Sequence, residues 1–148
     1  MESPSVPLSA PLILIVDDDA LIQELINIRL CQAGYRTERA NDGQQALSRL
    51  RDHLPDAMIL DLSMPRLDGF GVLEQMKRLG LLARVPTMVL TARNQAGEVM
   101  EAIQLGARDF LTKPFEDPML LSRVARLVRK VPEAPAGPPS RTPSQLLW

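Results

Sequence analysis

The chain has 148 residues, 45 % of them hydrophobic and 24 % charged, with a formal net charge of -1: room for one folded domain, and apolar material for its core. So balanced a charge disfavours a general nucleic-acid binder, and the single cysteine, Cys31, excludes an intramolecular disulfide and a cysteine-based metal site. The longest apolar run, Leu12 to Val16, is too short to cross a bilayer, and residues 1–11 carry no lysine or arginine to begin a signal peptide, so a cytoplasmic protein with no membrane partner is expected.

Of the 13 prolines, three lie in residues 1–11 and five in residues 131–148, where no apolar period could feed a core. Residues 12–130 are therefore expected to be the folded unit, flanked by an N-terminal tail (1–11) and a Pro-rich C-terminal tail or linker (131–148). Leu12-Ile-Leu-Ile-Val16 is apolar throughout and suits a strand covered on both faces. From Ala20 a helix is predicted, with Ile22, Leu25, Ile26 and Leu30 at helical spacing and Gly34 as its stop. Tyr35 to Ala40 is more polar and suits an edge strand; Asn41-Asp-Gly43 opens a short helix through Leu50.

Ala57 to Leu60 is a third apolar strand with Asp61 at its carboxyl end, and a turn through Met64 to Gly69 leads into a helix over Phe70 to Leu79. Thr87 to Leu90 predicts the fourth strand, Glu98 to Leu105 the fourth helix, closed by Gly106. Asp109 to Thr112 predicts the fifth strand and Asp117 to Lys130 the last helix. Five βα units predict an open, doubly wound α/β sheet, whose ligands bind beyond the carboxyl ends of the strands where the strand order reverses.

Those ends carry Asp17 and Asp18, Asp61, Thr91 and Lys113. Carboxylates brought together repel one another, and a hard divalent cation such as Mg²⁺, or Mn²⁺, offsets the repulsion while keeping open positions for substrate. Thr91 offers a hydroxyl donor and Lys113 a compact positive charge, both matched to the oxygens of a transferring phosphoryl group, which leaves Asp61 as the carboxylate nucleophile. Blander readings hold elsewhere. Asp19 is read as the N-cap of the first helix. His53, the only histidine, is read as a solvated surface residue. Arg123, Arg126, Arg129 and Lys130 are read as cations near a helix C-terminus rather than a nucleic-acid stripe.

Four segments, Ile13-Leu-Ile-Val-Asp-Asp-Asp19, Ile59-Leu-Asp-Leu-Ser-Met-Pro65 with Asp68-Gly69, Leu90-Thr-Ala92, and Gly106-Ala-Arg-Asp-Phe-Leu-Thr-Lys-Pro-Phe115, closely resemble the receiver domain of two-component response regulators. The resemblance spans essentially all of residues 12–130. It implies a flavodoxin-like (βα)5 fold: a five-stranded parallel sheet with helices on both faces. It further implies Asp61 as phosphoacceptor, Asp18 and Asp61 as direct Mg²⁺ ligands, Asp17 close to the metal through water, and the main-chain carbonyl of Ser63 as a further ligand. Thr91 and Lys113 would hold the phosphoryl oxygens, Phe110 would be the aromatic switch that follows Thr91, and the Lys113–Pro114 bond would be cis. Ser63 and Arg93, two residues beyond Asp61 and Thr91, occupy positions that tune loss of the phosphoryl group.

The function expected is a phosphorylation-activated signalling receiver, not a turnover enzyme on external substrates. Its donor would be a histidine kinase or a histidine phosphotransfer protein, and its target a downstream protein or a second copy, met on the face of the fourth helix, fifth strand and last helix. In related winged-helix regulators that face forms a dimer through charge pairs. Asp109 and Arg123 match one such pair here, whereas Arg108 replaces the acid common beside Asp109. Two alternatives stand beside this reading. One is an aspartate-nucleophile phosphohydrolase of the haloacid dehalogenase type using Asp17, whose motif fails at Leu21; the other is a receiver-fold adaptor that works without phosphorylation. Residues 131–148 are too short and too rich in proline for an effector domain. The chain reads either as a single-domain regulator or as the amino-terminal part of a longer one, with Leu146-Leu-Trp148 as a cut end.

Overall fold

The computed structural model describes residues 7–64, 66–92 and 96–129. Five strands and five helices alternate along it: β1 (Leu12–Val16), α1 (Ala20–Gln32), β2 (Arg36–Ala40), α2 (Gly43–Asp52), β3 (Ala57–Asp61), α3 (Gly69–Arg78), β4 (Thr87–Ala92), α4 (Ala96–Leu105), β5 (Asp109–Lys113) and α5 (Asp117–Arg129). All strand pairings are parallel, in the order β2-β1-β3-β4-β5, so the doubly wound α/β sheet expected from the alternation is present. Among the described residues no helix is long and apolar enough to cross a membrane.

β1, and β3 up to Leu60, are apolar at every position because the sheet is covered twice there, and successive side chains point to opposite faces. Leu14, Val16, Met58, Leu60 and Val89 face one layer, where Ala46, Leu50, Val72, Leu73, Met76 and Ala102 of α2, α3 and α4 meet them. Ile13, Ile15, Ile59, Met88, Leu90 and Leu111 face the other, against Ile26 and Leu30 of α1 and Leu120, Val124 and Leu127 of α5. Each fully buried Leu, Ile or Val contributes roughly 1.5–3 kcal/mol of transfer free energy. β2, only half-buried over Arg36 to Arg39, is an edge strand, as its polarity predicts.

Several boundaries differ from the sequence reading. α1 ends at Gln32 because the chain reverses through Gly34 at φ +96, a conformation glycine adopts without a Cβ clash. α3 starts at Gly69 rather than Phe70, with Asp68 as its N-cap accepting from Gly71 N–H at 2.9 Å. α2 runs on to Asp52, and α4 begins at Ala96 rather than Glu98. β4 and β5 extend through Ala92 and Lys113, so Thr91 is the penultimate residue of its strand and Lys113 the last of its own, rather than following them. Lys130 and residues 131–148 lie outside the described residues.

Candidate functional site

β1 and β3 are neighbours in the sheet, yet the chain leaves them in opposite directions, toward β2 and toward β4. The crevice this opens at their carboxyl ends holds the expected residues. Asp17, Asp18 and Asp61 each offer a carboxylate oxygen, all within 4.8 Å of one another. Asp17 is fully buried, Asp61 is 5 % exposed, and Asp18 is open to solvent. Asp18 and Asp61 border an open cleft of about 420 Å³ that Ser63, Thr91, Glu98 and Lys113 also help to line, with Asp17 buried behind them.

Local hydrogen bonds fix the carboxylates. Asp17 Oδ1 accepts from Asp19 N–H at 2.9 Å, and Asp61 Oδ1 accepts from Ser63 N–H at 3.3 Å. Asp19 itself turns away and caps α1, accepting from Leu21 and Ile22 N–H at 3.0 and 3.3 Å, which is the capping role read from the sequence. Lys113 Nζ reaches in from β5, 3.1 Å from Asp17 Oδ2 and 3.5 Å from Asp61 Oδ1. Thr91 is buried at the end of β4, its hydroxyl making, among the described residues, a long 3.4 Å contact with the Ala92 carbonyl.

Electrostatics follow from this packing. Burial, then the Asp17 charge, push Asp61 up to about 6, with Lys113 and the Ser63 N–H pulling the other way and Asp18 adding to the rise. Burial by itself would lower the Lys113 ammonium, but the Asp61 and Asp17 carboxylates outweigh it and hold the group above its ordinary value. Asp17 Oδ2 is buried without a well-aligned hydrogen bond despite its nearness to the Lys113 ammonium. A buried carboxylate oxygen whose one described contact is the Lys113 ammonium, beside two more carboxylates, fits a hard divalent cation with oxygen ligands, Mg²⁺ above all.

The remaining candidates are distributed as follows. Phe110 stands on β5, 37 % exposed, and lines a hollow of about 530 Å³ together with Thr91. Lys113–Pro114 is cis. Ser63 is exposed beside the cleft, while Arg93 lies outside the described residues. His53 is not merely solvated: its Nε2 lies 2.9 Å from Glu38 Oε2, joining the end of α2 to β2. Arg123 and Arg126, read from the sequence as cations near a helix C-terminus, both reach across to Asp109, at 2.9 and 2.8 Å. The Asp109–Arg123 pair, matched from sequence to an interchain contact, forms within one chain.

Sequence reasoning missed three supports. Gln23 is buried in α1, and its Nε2 donates to the carbonyls of Asp17 and Ala40 at 3.0 and 2.9 Å, with Asn41 Oδ1 at 3.2 Å. It ties the β1 end to the β2 end. The signal was present, because Gln23 falls on the same helical face as Ile26 and Leu30. Gly69 is the second: a Cβ there would lie 2.6 Å from the Asp61 carbonyl oxygen and 2.7 Å from Leu62 Cα. Glu98, from the first turn of α4, is the third and adds an acidic group to the cleft wall.

Comparison with known proteins agrees with this geometry. The family described as the response regulator receiver domain matches residues 13–125. The DNA-binding dual master transcriptional regulator RpaA of Synechocystis sp. is 38 % identical over 125 residues, covering 84 % of this chain and 52 % of that protein. The response regulator MprA of Mycobacterium avium is 42 % identical over 118 residues, covering 80 % of this chain and 51 % of its own length. The chain thus spans about half the length of these curated relatives. Among solved structures, a putative response regulator from Chloroflexus aurantiacus superposes with a TM-score of 0.78 at 34 % identity, over 82 % of this chain and 99 % of that one. The chemotaxis response regulator CheY4 of Vibrio cholerae superposes with a TM-score of 0.75 at 29 % identity, over 80 % and 99 %.

Proposed function

The chain belongs to the response regulator receiver domain family of two-component signalling, and from that premise we propose that it accepts a phosphoryl group on Asp61 from a phosphohistidine donor, a histidine kinase or histidine phosphotransfer protein, in the cytoplasm. The receiver unit is taken as residues 12–130. A single observation carries the reading: the Asp61 carboxylate opens on the cleft with Asp17 and Asp18 within 4.8 Å and the Lys113 ammonium 3.5 Å away. This is a carboxylate nucleophile surrounded by what a transferring phosphoryl group requires.

An oxygen of Asp61 attacks phosphorus in line, the P–O bond forms as the P–N bond of the donor breaks, and the departing imidazole takes the electron pair and a proton. Lys113 Nζ and Thr91 Oγ1 donate to the equatorial oxygens as their charge grows. Asp17, Asp18, Asp61 and the main-chain carbonyl of Ser63 would hold Mg²⁺ or Mn²⁺. The bound ion supplies positive charge that offsets the clustered carboxylates and the phosphoryl oxygens. Hydrolysis reverses the state: water attacks phosphorus, the Asp61–phosphorus bond breaks, and inorganic phosphate leaves. Ser63, exposed at the cleft, and Arg93, two residues beyond Thr91 in the sequence, tune that step. The chain so acts on its own phosphoryl group and not on external substrates.

Thr91, drawn toward the phosphoryl group, makes room for Phe110, which converts a local hydrogen bond into a changed surface on α4, β5 and α5 for a downstream protein or a second copy. The hydrolase alternative is disfavoured, because its nucleophile, Asp17, is fully buried and already engaged by Asp19 N–H and Lys113. Acetyl phosphate with Mg²⁺ tests the assignment: intact mass is expected to rise by one phosphoryl group in the wild type and not in Asp61→Asn. Equal labelling of Asp61→Asn, or a label mapped to Asp17, refutes it.

A further inference from the structure

Phe110 separates two hollows. One, of about 530 Å³, lies toward Thr91, Val99 and Met100; the other, of about 250 Å³, lies toward Phe115, Met119 and Arg123. The ring is held on the second side. Arg123 places its guanidinium carbon 5.7 Å from the centre of the Phe110 ring, while Nη1 donates to the Phe110 carbonyl and to Asp109 Oδ1. Asp109 is fixed in turn by Arg126 Nη2 at 2.8 Å. One α5 side chain therefore grips the ring, the backbone of the same residue and the residue before it. The space the ring would enter beside Thr91 is already open.

We propose that Arg123 is a positioning residue that holds Phe110 away from Thr91, so that the strength of this cation–π and carbonyl grip sets how readily the domain responds to phosphorylation. The proposal rests on the switch reading given above and adds the element that opposes it. An exposed cation–π contact weights two ring positions by roughly two- to fivefold. A ligand selecting the inward ring must work against that weight, so loosening the grip lowers the ligand concentration needed. The inward position costs the Phe110 ring its contact with Arg123 but leaves both Arg123 and Arg126 on Asp109, so the β5–α5 seam keeps its bridges.

The test uses the full chain carrying ¹³C-labelled phenylalanine rings and threonine methyls; with three phenylalanines, the Phe110 signals are assigned from Phe110→Leu. In Arg123→Met, which keeps the aliphatic stem and loses the charge, the Thr91 methyl is expected to move without any ligand toward its position in beryllofluoride and Mg²⁺. The beryllofluoride midpoint should fall roughly two- to fivefold. Arg123→Lys, which keeps a cation but not the fork, should restore part of the wild-type position. Asp109→Asn, which weakens the anchor while Arg123 remains, should shift the same methyl in the same direction and serves if Arg123→Met does not fold. If beryllofluoride moves the Thr91 and Phe110 signals equally in all variants, with unchanged midpoints, the grip is refuted while the switch stands. If beryllofluoride binds the wild type and moves neither signal, the switch reading itself fails and the grip with it.

Discussion

Lys113 Nζ lies 3.5 Å from Asp61 Oδ1, so the last residue of β5 places its positive charge beside the last residue of β3, two strands away. The same ammonium is 3.1 Å from Asp17 Oδ2. One cation facing three carboxylates leaves the cleft net negative, and the following expectations derive from that imbalance and from the packing that enforces it.

The first concerns pH. The Asp61 carboxyl is raised to about 6 in the folded chain against an ordinary 3.8, mainly by burial and then by Asp17. Because the folded value exceeds the unfolded one, the protonated group favours the fold, and this contribution is complete below about pH 4 and lost as pH rises through about 6. Metal-free wild type should therefore lose about 1–2 kcal/mol relative to Asp61→Asn between about pH 4 and pH 7, a figure discounted for water at the open cleft. Thermal melts of both proteins in chelator check this, and a pH-independent difference between them would show that Asp61 is not strained by its neighbours.

Competition between the proton and the metal gives a second expectation. Apparent Mg²⁺ affinity should be level above about pH 7 and fall by up to tenfold per unit well below 6, as Asp61 takes up a proton. Calorimetric titration across that range reads it, and an affinity indifferent to pH would place the metal elsewhere.

Asp18→Ala separates metal binding from fold. Asp18 is the exposed member of the cluster, so its removal should weaken Mg²⁺ binding at least tenfold and suppress labelling of Asp61, while the metal-free protein melts at the same or a higher temperature because one repulsive charge is gone. Unchanged Mg²⁺ affinity in this variant would argue against a carboxylate site here.

Gly69→Ala tests the close approach of α3 to the main chain of Asp61. The added methyl would meet main-chain atoms of Asp61 and Leu62 at 2.6 and 2.7 Å, and neither can swing aside. A loss of about 1–3 kcal/mol, of the size overpacking gives, is expected, together with displaced Asp61 and Leu62 amide signals. A fully stable variant with wild-type signals around Asp61 would show that the loop yields more easily than the contact implies.

Beryllofluoride with Mg²⁺ should perturb amide signals from the cleft to Thr91, Phe110 and Arg123 along α4, β5 and α5. Perturbation confined to the acidic cleft, with β5 and α5 silent, would remove this face as the output surface.

Much of this was legible in the sequence because the strands are covered on both faces and so read as uninterrupted apolar runs, whose carboxyl ends a doubly wound topology must gather. Asp17, Asp18, Asp61, Thr91 and Lys113 needed only that rule to be brought together. What escaped depends on side-chain reach. Arg123 and Arg126 sit at spacings that read as a basic stripe, and only the lie of α5 against β5 turns them onto Asp109. Gln23 belongs to no motif and drew no reading, although its register with Ile26 and Leu30 puts it on the buried face, where its amide finds two carbonyls. Gly69 gave a turn signal but no hint that its missing Cβ is needed by the main chain of Asp61. The start of α4 was misplaced by two residues because glycine at position 97 weakens the local helix preference that the sheet-packed context overrides.

The position of β5 at the edge of the sheet has a mechanical consequence. Phe110 is hydrogen-bonded into the sheet on one side only, through the pairing of β5 with β4. In the proposed switch, a ring turning there would meet no outer strand among the described residues, so its motion would be a side-chain event at a border rather than a rearrangement of the interior. The cost would fall on α5 and its arginines, and the sheet that holds the three carboxylates in place would be the same before and after.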